Sequence, residues 1–260
     1  MTGAVRVAPL RTAKVAARMH RLIASRYPTV GVFDDIAASE EDLRAAFALE
    51  ALTNDRMTTL TQRLTLFEPG DIVSGPTASL VMAAFLHADD KGGRFTDGRL
   101  GAWYASLEVE TAVAETVYHS ERRLRLSEGG FPNAIEMREL VSRVDAKLVD
   151  LRGRMQERPE LYHPTDYSAA QAFGVALRWP IRQQMKDRPM SAREIAQERA
   201  GRNGIVYDSV RREAGTCLCL YKPALVQLPV LQGDHYRYSW SASGRLTVAR
   251  ISTVEAPVAG

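Results

Sequence analysis

Three side chains and a pair of glycines in one short stretch could do chemistry as a set. Gly92 and Gly93 precede Arg94, and Tyr104 and Glu115 follow within the run 92–119, GGRFTDGRLGAWYASLEVETAVAETVYH. Paired glycines let the backbone approach a ligand closely. Arg94 offers a planar fork suited to phosphate. Tyr104 offers a stacking face with a hydroxyl at its tip. Glu115 can accept from sugar hydroxyls or stabilise a developing positive charge. Together these groups suit an anionic, ring-bearing ligand.

Local elements must hold them in place. Thr96, Asp97 and Gly98 predict a turn, and the apolar run with Trp103 and Tyr104 predicts a short strand. A helix is expected over 107–119. At about 100° per residue, Val109, Ala112, Val113, Thr116 and Val117 share its apolar face. Glu115 falls at the margin of that face, where it can meet both core and cleft. The same spacing suits a solvated glutamate on an amphipathic helix. His119, one turn further on, is expected to hydrogen-bond Glu115 from the helix edge.

Elsewhere, residues 12–25 have helical composition, with Arg21 late in that helix or in a strand after it, and Pro28 ends regular structure. Ser39 can cap a helix over 39–52. The run SGPTASLVMAAFLH predicts a turn and a short buried helix or strand, and 134–151 predicts a strand. Thr165 or Asp166 can cap a helix that buries Ala170, Phe173, Gly174 and Leu177. Ser168 lies in its first turn, where free N–H groups attract anions; it also reads as a second capping serine. Ser191 and Glu194 form a capping-box pattern. The runs GIVYDSV and TCLCLYKPAL predict two strands joined by the polar turn RREAG, and a last strand is expected around Tyr236, Tyr238 and Trp240. Without regular βαβ alternation, the pattern points to an α+β (mixed α/β) fold.

The chain has 260 residues, 45% hydrophobic and 25% charged, which is enough for a sizeable core in a single domain spanning 1–260. No apolar run reaches about 18 residues, so no membrane span is expected. The basic N-terminus lacks the apolar segment of a secretory signal, and a cytoplasmic location is expected. A net charge of +3 is too mild to imply direct nucleic-acid binding. Cys217 and Cys219 are the only cysteines. They would share one side of a strand, and they support neither a disulfide framework nor a metal site.

An ordered set of short matches resembles the RES-domain family, named for its arginine, glutamate and serine. The matches are Arg21, then Gly92-Gly93-Arg94-Phe95, Tyr104 with Glu115, Asp166-Tyr167-Ser168 with Gln171, and the strand from Gly204 to Ser209. Phe95 stands where the family usually has tryptophan, and 29–73 is an insertion relative to compact members. The insertion is expected to form a helical cover beside the pocket. Arg21 fits the family's first arginine, with Arg26 the nearby alternative; the serine is Ser168 or Ser209, with Ser168 preferred for its helix-start position.

The resemblance implies an ADP-ribosyltransferase-like RES fold with short strands in a split sheet. It implies an enzyme that takes NAD as substrate, needs no separate cofactor and cleaves the nicotinamide–ribose bond. Such a protein would be the toxin of a toxin–antitoxin pair. Arg21, Tyr104, Glu115 and Ser168 would be catalytic, and Arg21, Arg94, Tyr104 and Ser168 would hold NAD. The expected partners are NAD and a cognate antitoxin, with a homodimer left open. The alternatives are a protein ADP-ribosyltransferase and a non-catalytic partner-binding module.

Overall fold

Two β-layers joined by thin seams frame the molecule. The computed structural model describes residues 10–27, 55–68, 70–179 and 191–252, with isolated positions between 39 and 45. In chain order the elements are β1 (Thr12–Ala24), α1 (Asp55–Leu64), α2 (Ala78–Leu86), β2 (Trp103–Ser106), α3 (Val109–Leu126), β3 (Asn133–Asp150), α4 (Ser168–Arg178), α5 (Ala192–Asn203), β4 (Gly204–Asp208), β5 (Thr216–Leu220), β6 (Leu231–Trp240) and β7 (Leu246–Ile251). The strand order is β1-β2-β5-β4-β3-β6-β7, and β1 also pairs β3, so the first five strands close into a ring. The seams of the ring are short. β1 meets β2 at one register pair, His20 with Ser106, and β3 meets β4 at Val149–Ile205 and Asp150–Val206. This α+β architecture is the one the sequence predicts.

One face of each ring strand fills the interior. Val15 and Met19, Trp103 and Ala105, Leu218 and Leu220, Val206, and Leu140, Val144 and Leu148 belong to one buried cluster. Helix α2 adds Val81, Met82, Phe85 and Leu86 to it. Each fully buried large side chain there contributes about 1.5–3 kcal/mol by leaving water. Outside β4 and β5, a second cluster joins Phe95, Ile205, Tyr207, Cys217 and Cys219 to Ala170 of α4. Outside β1, β3 and β6, a third packs Leu22, Met137, Tyr236, Tyr238 and Trp240 under α3.

Residues 12–24 form a strand, not the expected helix. Their alanine-rich composition favours helix, but β1 pairs β3 along its whole length, from Thr12–Val149 to Ala24–Met137, and such tertiary pairing overrides a weak local preference. The expected helix over 107–119 starts at Val109 and runs on to Leu126. Leu124 is buried and Arg125 pairs with Glu121 one turn back, which holds the last turns in register. Ser39 accepts from Asp42 N at 3.1 Å as a cap would, and residues 41, 42 and 45 are helical; the other positions of the predicted 39–52 helix lie outside the described residues. The part of the 29–73 segment that is described contains α1, whose Leu64 and the following Phe67 enter the ring core. The predicted capping box of α5 is present, with Ser191 and Glu194 bonded reciprocally.

Helix α4 lies close to the loop that carries Arg94. A Cβ on Gly174 would stand 2.1 Å from the Phe95 carbonyl oxygen and 2.8 Å from the Tyr221 hydroxyl. Backbone on the far side cannot yield cheaply, so Gly174→Ala should destabilise the fold by about 3 kcal/mol, the upper end of overpacking. Gly129→Ala, whose Cβ would meet only Ser127 Oγ at 3.9 Å, should cost little. Denaturant unfolding of both variants checks the contrast.

Candidate active site

The loop before β2 is shaped by Tyr104. Its hydroxyl accepts from Phe95 N at 2.9 Å and bonds Thr96 Oγ1 at 3.1 Å. A Cβ on Gly93 would stand 2.7 Å from that hydroxyl, so the glycine is what allows the loop to lie on the ring. Gln171 of α4 clamps the loop from the other side, donating to the Lys91 and Gly93 carbonyls at 2.7 and 3.1 Å. The Tyr104 hydroxyl therefore positions the loop, while its half-buried ring keeps some surface open. Burial holds its pKa well above the usual phenol value.

Arg94 leaves this loop almost fully buried, at 6% exposure. Its Nη1 donates to the Leu161 and His163 carbonyls at 3.1 and 2.9 Å. Its guanidinium lies 4.4 Å from the centre of the Tyr167 ring. Its Nη2 is buried with no hydrogen-bond partner among the described residues, an omission that costs about 1–3 kcal/mol unless something supplies an acceptor.

Glu115 sits on α3 where the helix crosses the β2–β5 edge. The apolar face is the predicted one: Val109, Ala112, Val113 and Val117 pack on the third cluster, and Thr116 bonds the Tyr238 hydroxyl at 2.9 Å. At its margin, Glu115 accepts from Ser209 Oγ at 2.6 Å and from the Cys217 thiol at 3.7 Å. Ser209 Oγ in turn accepts from Arg211 N at 3.0 Å and Arg212 N at 3.1 Å. One hydroxyl thus binds the carboxylate and shapes the turn after β4. Burial, then the neighbouring Glu115 charge, pushes the Cys217 thiol far up, so it stays protonated and acts as a donor.

The turn carries Arg211 into the same cleft. Its guanidinium lies 3.3 Å from the centre of the Tyr118 ring, and its Nη2 donates to the Pro164 carbonyl and stands 3.5 Å from the Tyr167 hydroxyl. His119 meets the edges of Tyr118 and Tyr167, at 5.3 and 6.5 Å between ring centres. These ring contacts replace the expected hydrogen bond to Glu115.

Ser168 is exposed at the start of α4, its backbone N–H bonded to Asp166 Oδ1 at 2.9 Å. It shares a helix face with Gln171 and hence the side of the Gly93 loop. The serine that touches Glu115 is Ser209, not Ser168. Arg21 reaches the first of these groups only through the Tyr104 backbone. It lies on the interior face of β1, 5.0 Å over the Trp103 ring, and its Nη1 donates to the Tyr104 carbonyl at 2.8 Å where the β1–β2 ladder ends. Burial pulls its pKa down to about 10, so it remains charged at neutral pH. Arg26 is exposed and stacks only on Tyr27. Among the described residues no three His, Cys, Asp or Glu side chains converge as around a metal ion, and no helix is long and apolar enough to cross a membrane.

Sequence spacing gave Arg211 and Tyr167 no role. Tyr167 stood inside a matched run and Arg211 inside a polar turn; only the fold brings them beside Arg94 and Glu115. A cavity of about 300 Å³ exists at the other end of the β2–β5 ladder, lined by Phe67, Glu68, Asp71, Trp179, Arg202 and Lys222 among others. Its carboxylates are already paired, Glu68 with Arg202 at 2.8 Å and Asp71 with Lys222 at 3.2 Å. The Glu115 cleft is the better candidate because Arg94 and Arg211 have no such partners among the described residues.

The fold and this cleft define an α+β protein with a carboxylate held beside a cationic, aromatic-lined groove. The RES domain profile matches residues 71–241, most of the chain, and the chain belongs to the RES-domain family. Arg94, Tyr104, Glu115, Ser168 and Ser209 fall within the match, and Arg21 precedes it. A solved structure, that of the M. tuberculosis MbcT–MbcA toxin–antitoxin complex, is similar at 12% identity and a TM-score of 0.37, over 89% of this chain and 88% of that one. A likeness of that degree carries no functional argument. No curated protein sequence matches the chain significantly.

His119 gives the cleft a pH signature. Desolvation, followed by the guanidiniums of Arg211, Arg123, Arg122 and Arg94, pushes its pKa from 6.5 to about 4. The residue is exposed at its surface, so repulsion by the arginines weighs more than burial there. The unfolded chain takes up this proton near 6.5 and the folded chain near 4. The stability tied to His119 is therefore complete above pH 6.5 and is lost as the pH falls through this window. An NMR titration should find the imidazole still neutral at pH 6, and His119→Gln should flatten the stability profile across the window.

Proposed function

We propose that this protein cleaves the nicotinamide–ribose bond of NAD, as a glycohydrolase or phosphorylase. The observation that carries the reading is the Glu115 carboxylate, bonded to Ser209 Oγ at 2.6 Å, beside a groove whose Arg94 keeps a buried N–H without an acceptor. Membership of the RES family supports the same reading.

The nicotinamide ring of NAD is a cation, and it leaves neutral once it takes the bonding electron pair. Positive charge then develops on the ribose as an oxocarbenium ion. Glu115 answers that charge and accepts from the ribose hydroxyls. Ser209 and the Cys217 thiol fix the carboxylate in one orientation, so little reorganisation is needed as the bond stretches. Arg94 supplies charge-assisted hydrogen bonds to a phosphate. Tyr104 fixes the loop that carries Arg94 and lends its open ring edge to the ligand. Arg21, with nitrogens beyond Nη1 to offer, binds ribose or phosphate oxygens where β1 and β2 part. Ser168 stands at the rim as a contact for an anionic group. The acceptor is water, inorganic phosphate or a protein side chain; transfer to a protein would make the enzyme an ADP-ribosyltransferase.

We also propose one domain over 1–260, with 29–73 as an inserted cover; the family match begins at 71, and Leu64 and Phe67 share the ring core. The biological reading that follows is a cytoplasmic toxin held in check by a cognate antitoxin protein.

Purified protein should release nicotinamide from NAD. Glu115→Ala should lower kcat by about a hundredfold or more with KM little changed, because the charge it answers exists only in the transition state. Unchanged turnover in the folded variant would remove Glu115 from the mechanism. Ser209→Ala, which frees the carboxylate, should lower kcat by about tenfold, and Ser168→Ala should act mainly on KM. The reverse pattern would return the catalytic role to Ser168.

A further inference from the structure

We infer that Arg211 is a second anion-gripping residue of the cleft, closing with Arg94 around Tyr167 on the diphosphate of a dinucleotide. The assignment rests on the NAD reading and adds a residue to it. Its basis is two guanidiniums that reach one tyrosine, Arg94 over its ring and Arg211, which stacks on Tyr118, at its hydroxyl. Arg94 lies 4.4 Å from the ring centre, and Arg211 Nη2 is 3.5 Å from the hydroxyl of the same residue.

Two such cations repel each other, and the protein does not neutralise them. Among the described residues neither Arg94 nor Arg211 forms an ion pair. Each keeps a buried nitrogen without a partner, Nη2 of Arg94 and Nε of Arg211. Arg94 itself is 6% exposed. Arg178, which is also buried, shows the contrast: its donors are spent on the Leu100, Gly101 and Tyr221 carbonyls at 2.7–3.1 Å. Burial first, and then the charges of Arg211, Arg123, Arg122 and Arg94, depress the His119 pKa, which places several cations around this part of the cleft. A diphosphate carries negative charge and acceptor oxygens on two adjacent phosphorus atoms, which suits two separated guanidinium edges.

The position of Arg211 also ties grip to chemistry. Its backbone N–H donates to Ser209 Oγ at 3.0 Å, the atom that donates to Glu115. The residue that would hold the diphosphate and the carboxylate that would face the ribose are therefore set by one turn.

The test compares substrates with and without the diphosphate. NAD and nicotinamide riboside share the scissile bond, and only NAD carries the diphosphate. In the full-length protein, Arg211→Gln should raise KM for NAD by about tenfold or more and leave kcat/KM for nicotinamide riboside within about twofold. Arg211→Lys should fall between, since it keeps the charge and loses the flat fork; it also serves if the Gln variant does not fold. Equal losses on both substrates would mean that Arg211 only braces the Pro164 loop, and no loss on NAD would mean that it touches nothing; either result overturns the inference. If the unmodified protein releases no nicotinamide, the NAD-cleavage reading fails by itself. Calorimetry with ADP-ribose then decides for Arg211: binding weakened by about tenfold in Arg211→Gln supports the inference, and absent or unweakened binding overturns it.

Discussion

The eighteen-residue strand β3 is the constraint on which the architecture rests. It pairs β1 along thirteen positions, carries β6 on its other side, and at its far end turns to meet β4 in parallel. No other strand belongs to both layers so fully. Because it commits most of its length to β1 and β6, it can spare only two register pairs for β4, and β1 has only one for β2. The ring is therefore complete but weakly sewn at two places. Arg21 stands at one of these, where its side chain donates to a strand carbonyl at the end of a ladder. Sheets that part in this way leave backbone and side-chain groups in reach of a ligand.

Around that frame, polar side chains place the groups of the cleft. Tyr104 and Gln171 fix the Gly93 loop from two sides, and Ser209 fixes the turn after β4. Each device uses a hydroxyl or amide to satisfy backbone groups that no ladder reaches. The result is a cleft whose loops are held by hydrogen bonds, while Arg94 and Arg211 bond backbone carbonyls and, among the described residues, form no ion pair. Placing guanidiniums in half-dry surroundings without carboxylates is costly.

Sequence alone resolved the parts of this picture governed by local chemistry. The capping box at Ser191, the amphipathic face of α3, the paired strands β4 and β5 and the common side of Cys217 and Cys219 all follow from spacing and residue type. Three features did not. β1 reads as helix because its alanines say nothing about a partner strand more than a hundred residues away. The bond from Ser209 to Glu115 is a contact between distant segments that no spacing announces. Arg211 sits in a turn of ordinary polar composition, and what distinguishes it is that no described residue supplies its counter-ion, a property only packing can reveal. Resemblance to the RES family supplied the order of the site residues but not which of them touch.

The two cysteines have a practical consequence. Both are free, buried and on one side of β5, and burial raises both thiols, Cys219 to about 12. Thiolate is the reactive form of the side chain, so neither sulfur should react readily with maleimides or mild oxidants while the fold is intact. The native surface is in effect thiol-free. A single cysteine introduced at the exposed tip of the 209–215 turn, at Glu213 for example, would be the one labelling site, and a fluorophore there would sit on the segment that joins Arg211 to Glu115. Conversely, reaction of the native thiols would report unfolding of the inner strands, giving an optical readout of local opening that needs no substrate.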